Sequence, residues 1–252
     1  MKREETGQLS RRSFLKTGGA VLATGALTPL MAKAQEEVAK PDLAIRGHRT
    51  LGRTGFRVSD ISLGCAPVSD ANVVRYAYDH GVNYFDTAES YGGGASERAI
   101  GEAMPHLDRS KIFITTKVVL EADESEEAIR ERFAGCLERM KTDYADALYN
   151  HDVQSRQLID HKGFHAAVAS LKAEGRLKHA GISSHGPRGR GQDGLGDVLV
   201  HAAEDGRFDL MPFTYNSPNE KEADRVLVAC KGANIRTTAM TTVPASLPVE
   251  PW

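Results

Sequence analysis

Cysteine is scarce in this chain and badly placed for metal or disulfide chemistry. The 252 residues include three, Cys65, Cys136 and Cys230, far apart in sequence. No C-x-x-C pair supports a zinc or iron–sulfur site, and an odd count argues against a disulfide framework. Three buried or half-buried thiols are the expectation. A long apolar run is missing too. The uncharged stretch at residues 17–32 has sixteen residues, rich in glycine and threonine, and is too short for a membrane span. Basic surface is also lacking. Residues 1–34 carry six Lys/Arg against two Glu, which leaves 26 basic and 32 acidic residues in the rest of the chain. That mildly acidic body offers no face for nucleic acid. Repeats of solenoid period are absent, as is a G-x-G-x-x-G placed directly after a strand. What remains, 40% hydrophobic and 26% charged, is the composition of an ordinary globular protein. Its length suits one α/β barrel or two smaller domains.

Residues 1–34 read as an export signal rather than as part of a fold. Ser10-Arg11-Arg12-Ser13-Phe14-Leu15-Lys16 resembles the twin-arginine consensus S-R-R-x-F-L-K at every specified position. The short uncharged stretch follows, and Ala32-Lys33-Ala34 supplies an A-x-A cleavage pattern. The resemblance implies passage through the twin-arginine export machinery and a periplasmic or otherwise exported mature chain, with no stable membrane anchor. Residues 35–48, polar and interrupted by Pro41, are expected to be a linker.

From residue 49 onward, strand-like and helix-like runs alternate, the signature of β/α units and a parallel sheet. Residues 49–58, with Gly52 and Gly55, suggest a short hairpin before the first unit. Strands are predicted near 61–65, 82–86, 111–117, 145–150, 178–183, 208–215 and 235–240. Helices are predicted near 70–80, 95–104, 125–141, 163–174, 194–205 and 219–231. In the third helix, Ala128, Phe133, Leu137 and Met140 are expected to form the apolar face. Seven strands fall one short of a complete (β/α)8 TIM-type barrel. The segment 243–252, with Pro244, Pro248 and Pro251, is ill suited to another β/α unit. The expectation is therefore an incomplete barrel over residues 49–252, from a chain truncated at its C-terminus.

The chemistry concentrates at predicted strand ends. Asp86 closes the second strand, and Tyr91 follows five residues later in a glycine-rich loop that feeds a helix. Lys117 closes the third strand and His151 the fourth. In α/β barrels the C-terminal strand ends carry the active site. Residues 85–101 read F-D-T-A-x-x-Y-G-x-G-x-S-E-x-x-I-G. This motif, with Lys117 and His151 in the same order, resembles the aldo-keto reductases and their catalytic tetrad.

That resemblance implies carbonyl reduction with NADP(H). Tyr91 would be the general acid, its phenol assisted by the Lys117 ammonium, with Asp86 orienting the lysine. His151 would polarise the carbonyl oxygen. The segment Ala180-Gly181-Ile182-Ser183-Ser184-His185-Gly186 resembles the family's nicotinamide-binding segment, making Ser183 and Ser184 cofactor candidates beside Asp86 and Asn216. Two departures stand out. Met211-Pro212 occupies a place where many members have a Gln, and Met240-Thr241-Thr242 one where a Lys is common. No residues suggest a metal. Asp152 reads as a structural cap, and His161, His165 and His179 as surface or internally satisfied histidines.

The leading reading is an exported NADP(H)-dependent reductase of a small aldehyde or ketone. A non-catalytic barrel that binds a ligand or partner is the alternative. An isomerase using Tyr91 and Lys117 explains the residues one by one but not the sequence around them.

Overall fold

The computed structural model describes residues 45–242. The export signal, most of the expected linker and the proline-bearing segment 243–252 lie outside the described residues.

A two-stranded antiparallel hairpin comes first, β1 (His48–Thr50) against β2 (Arg57–Ser59), with Arg49 opposite Val58. Seven parallel strands follow in chain order: β3 (Leu63–Gly64), β4 (Tyr84–Asp86), β5 (Phe113–Val118), β6 (Ala145–Asn150), β7 (Leu177–Ile182), β8 (Leu210–Thr214) and β9 (Arg236–Met240). Between them run α1 (Ala71–Asp79), α2 (Ala95–Ala103), α3 (Glu126–Met140), α4 (Lys162–Ala173), α5 (Leu195–Asp205) and α6 (Glu220–Gly232). The sheet curls into a half-barrel, an incomplete (β/α)8 arrangement with β3 and β9 as its two edges.

Local signals fix the helix ends. Asp70 accepts from Asn72 N at 2.8 Å to open α1, and Ser125 accepts from Ala128 N at 3.2 Å to open α3. His161 caps α4, its Nδ1 accepting from Phe164 N at 3.0 Å. Left-handed residues close α3 at Lys141 and α5 at Gly206. The first strand of the sheet is shorter than predicted. As an edge strand it pairs only with Phe85 and Asp86 of β4.

The core has two parts. The larger lies between helices and sheet and includes Phe85, Ile114, Phe133, Phe164, Phe208 and Phe213. Along α3 the buried positions are Ile129, Phe133, Cys136, Leu137 and Met140. That spacing of i, i+4, i+7, i+8 and i+11 is one helical stripe, and Ala128, expected on it, sits only half-buried at its margin. The smaller core fills the barrel interior. Tyr84, Phe113, Ala147, Tyr149 and Leu210 point inward and are covered from below by Leu51, Phe56 and Val58 of the hairpin. Gly181 of β7 faces the Tyr149 ring so closely that any side chain there would run into it. All three cysteines are buried and free.

Candidate active site

Strand alternation and register build the site from the sheet upward. Successive side chains point to opposite faces, so residues two apart share a face. Tyr84 and Phe113 point into the barrel, which puts Asp86, Thr115 and Lys117 on the same inner face further up. Asp86 pairs in register with Thr115, and Lys117 with Tyr149. His151 lies two residues beyond Tyr149, just past the end of β6, its N–H bonded to Val118 O at 2.9 Å. Three neighbouring strands therefore deliver an acid, a cation and an imidazole to one end of the barrel. Tyr91 arrives from the β4–α2 loop, where Gly92, Gly93 and Gly94 adopt φ of 57°, 59° and 84°. Side chains are disfavoured there, and glycine lets the loop turn back over the strand ends.

The four residues named from sequence come together. Lys117 Nζ donates to Asp86 Oδ2 at 2.8 Å, to Thr87 O at 2.8 Å and to the Tyr91 hydroxyl at 3.3 Å. The lysine side chain is 1% exposed and that of Asp86 17%. Three N–H groups meet three acceptors, so the amine is fixed in direction. Asp86 is held on its other oxygen by Thr115 Oγ1 at 2.5 Å. The His151 ring stands edge-on to Tyr91, centroids 5.7 Å apart. Burial, and then the Lys117 charge, push the His151 pKa down to about 4, so the imidazole is uncharged at neutral pH. Its Nδ1 is buried and has no hydrogen-bond partner among the described residues.

A cleft of about 330 Å³ opens on Asp86 and Tyr91. Cys65 and Tyr84 line one side, with His185, Pro212, Ala239, Met240 and Thr241 across from them. Among the described residues no Lys or Arg lines it. Ser183, Ser184 and Asn216 are not among its lining residues. Ser184 Oγ donates to Val153 O at 2.7 Å and accepts from Gly186 N at 3.1 Å. Ser183 Oγ accepts from Asp152 N at 3.0 Å. Asn216 Nδ2 donates to Thr241 O at 3.1 Å, and its N–H is bonded by Asn219 Oδ1 at 2.8 Å.

Asp152, expected as a cap, caps no helix among the described residues. In a left-handed conformation (φ 56°), it accepts from His185 N at 3.2 Å and pairs with Arg188 at 2.7 Å, tying the glycine-rich 186–196 loop to the end of β6. His161 and His165 bond backbone carbonyls, of Glu121 and Ile159 respectively, each at 2.7 Å. His179 lies 3.7 Å from Asp209. Sequence reasoning overlooked Cys65, which follows β3 as Asp86 ends β4; its place after a strand was the available signal. Burial pushes its thiol up to about 12, so it stays protonated. His185, quoted only within its segment, also lines the cleft.

Comparison with known proteins places this geometry. The profile described as "Aldo/keto reductase family" matches residues 57–247, and that of the twin-arginine translocation pathway signal sequence matches residues 8–28. The latter marks the chain for export by the twin-arginine route. Among the described residues no helix is long and apolar enough to cross a membrane. The chain is similar to a probable aldo-keto reductase 1 of Glycine max, 31% identical over 156 residues, covering 54% of this chain and 44% of that protein. It is likewise similar to an L-galactose dehydrogenase of Arabidopsis thaliana, 32% identical over 151 residues, 54% of this chain and 47% of that one. The chain spans about half the length of the curated relatives it matches. In fold it resembles an aldo-keto reductase of Klebsiella pneumoniae solved in complex with NADPH, at a TM-score of 0.57 and 22% identity over 77% of this chain and 66% of that one.

Proposed function

Because this chain belongs to the aldo/keto reductase family, we propose that it is an exported NADP(H)-dependent oxidoreductase that reduces a small aldehyde or ketone to an alcohol. The observation that carries this reading is the Lys117 ammonium, out of solvent and within hydrogen-bond reach of both Asp86 and the Tyr91 hydroxyl. A phenol is a weak acid near neutral pH, and a fixed cation beside it favours the phenolate left after proton transfer. Asp86 holds the cation in place, and Thr115 holds Asp86.

The residues present fit the nicotinamide end of a dinucleotide. The cleft wall of Pro212, Ala239 and Met240 suits an uncharged ring, and Asp86 and Tyr91 face it. Asp86 is proposed to hold that end from within the cleft, and Ser183, Ser184 and Asn216 from behind its lining, by exchanging their present bonds to backbone for the carboxamide. When bound, the dinucleotide supplies a hydride to the carbonyl carbon. The chain supplies the rest. Tyr91 donates its proton to the oxygen as negative charge develops there. Lys117 steadies the phenolate that remains. His151, uncharged, donates a hydrogen bond that polarises the carbonyl, a role a charged imidazole would share with a competing proton donor. The buried core beneath, Tyr84, Phe113 and Tyr149, excludes water from the floor of the site.

One observation favours the alternative, a barrel that binds a ligand without turnover: among the described residues no cation lines the cleft to meet a pyrophosphate. The test is direct. Folded mature protein should change NADPH fluorescence on binding and oxidise NADPH when a generic aldehyde is added. No fluorescence change at millimolar NADPH would overturn the reductase reading in favour of the non-catalytic one.

A further inference from the structure

The Ser96-Glu97 pair of the motif has no part in the proton chemistry itself, yet both residues are buried, at 1% and 0% exposure. Ser96 Oγ meets Thr87 Oγ1 at 2.6 Å, and Thr87 is wholly buried. These two residues bracket the loop that carries Tyr91. Thr87 is also the residue whose carbonyl receives Lys117 Nζ at 2.8 Å. Glu97 accepts from Thr116 Oγ1 at 2.6 Å, and Thr116 is the strand neighbour of Lys117. The second carboxylate oxygen of Glu97 accepts from Arg139 Nε at 2.6 Å. The first turn of α2 is thereby bonded to the residue after Asp86 and to the residue before Lys117.

From this juxtaposition we infer that Ser96 is a positioning residue, a staple that closes the Tyr91 loop and sets the Thr87 carbonyl against Lys117, with Glu97 anchoring the same helix turn to β5. This rests on the reductase reading above. The physical need is plain in the loop. Three consecutive glycines with positive φ lie between Tyr91 and α2, and such residues confer the most backbone freedom. At its start the loop is tied to β5, Thr87 N to Thr115 O at 3.0 Å and Glu89 N to Lys117 O at 3.2 Å, whereas from Ser90 onward the backbone bonds are local, Tyr91 N to Ala88 O and Gly93 N to Ser90 O. On its outer side Glu89 pairs with Arg132, and the glycine-rich limb is held only at the surface, by the exposed Arg98 guanidinium donating to Gly93 O at 3.2 Å. The Thr87–Ser96 bond closes that limb. Without it Thr87 keeps its backbone bond to Thr115 but loses the side-chain tie that sets its carbonyl against Lys117 between Asp86 and Tyr91.

The test uses mature protein, wild type against Ser96→Ala and against the double variant Thr87→Val with Ser96→Ala. Replacing both partners of a buried hydrogen bond by apolar groups of similar shape is nearly neutral for stability, so the double variant separates positioning from folding. Both variants should lose about ten- to hundredfold in kcat, the effect of a small misplacement of reacting groups. Aldehyde KM and NADPH affinity should stay within about twofold, as expected when the lost interaction is made only in the transition state. Fluorine NMR of protein labelled with meta-fluorotyrosine gives a readout independent of turnover. The Tyr91 resonance, assigned by its absence in Tyr91→Phe, should shift or broaden in both variants. Wild-type kcat in the double variant, or a loss confined to KM, would overturn the inference. If wild-type protein itself shows no turnover, the reductase reading falls, and an unmoved Tyr91 resonance would then overturn the staple on its own.

Discussion

Replacing Lys117 by Met tests the centre of the proposed chemistry, because it removes the charge and keeps most of the buried stem. The ammonium lies 3.3 Å from the Tyr91 oxygen. At an effective dielectric of about 20, an ammonium and a phenolate at that distance attract by about 5 kcal/mol. Asp86, 2.8 Å from the same nitrogen, offsets part of that attraction, leaving about 2–4 kcal/mol, the usual worth of one preorganised electrostatic partner. The expected loss in kcat is then roughly thirtyfold to a thousandfold. Stability also falls, since taking one partner from a buried ion pair costs about 3–5 kcal/mol. The assay is NADPH oxidation at saturating aldehyde and neutral pH, with urea unfolding to confirm that the variant is folded under assay conditions. NADPH binding, measured by fluorescence, should be little changed, because Lys117 does not line the cleft. A folded Lys117→Met protein that kept more than about a fifth of wild-type kcat, a barrier change under about 1 kcal/mol, would refute the assignment of Lys117 to proton transfer.

Tyr91→Phe should abolish turnover while NADPH affinity stays within about twofold, since the lost hydroxyl acts only in the transition state; equal loss of both would make Tyr91 structural. His151 should leave a mark on the pH dependence of stability. Its pKa falls from 6.5 unfolded to about 4 folded, so between those values the unfolded chain takes up the proton first and the folded state loses stability as pH drops. The full difference is about 3 kcal/mol below pH 4, and urea titrations of wild type and His151→Gln from pH 7 to pH 4 should differ in slope by that proton; identical slopes would contradict a half-buried, uncharged imidazole. In the outer core, Phe133→Ala should cost about 3–5 kcal/mol in urea unfolding, because Phe133 is fully buried in the larger core; a cost under about 1 kcal/mol would mean that the helix does not pack as described.

Much of the barrel is written in local pattern. The helix ends follow from Asp70, Ser125 and Gly206, each a capping residue beside an amphipathic run. The parallel strands follow from short apolar stretches alternating with those helices. The errors lie where packing rather than period decides. Ile129 and Cys136, not Ala128, complete the buried face of α3, because which face turns inward depends on where the sheet lies. The short β3 reflects its edge position, which no local preference encodes. In the site, Cys65 and His185 reached the cleft wall unnoticed, since neither residue type at those places signals chemistry on its own.

The sequence by itself determined the family, the export signal and the identity of three candidate residues at strand ends and a fourth, Tyr91, in the loop after one of them. Each of these is a matter of residue type and order along the chain. What only the tertiary structure decided is how those residues meet: that the Lys117 ammonium is buried with three acceptors, that His151 is dry enough to stay uncharged, and that Ser96 reaches Thr87 across the Tyr91 loop. Those properties depend on distance and on solvent exclusion. Both arise from the register of parallel strands drawn from segments far apart in the chain, and no single segment carries them.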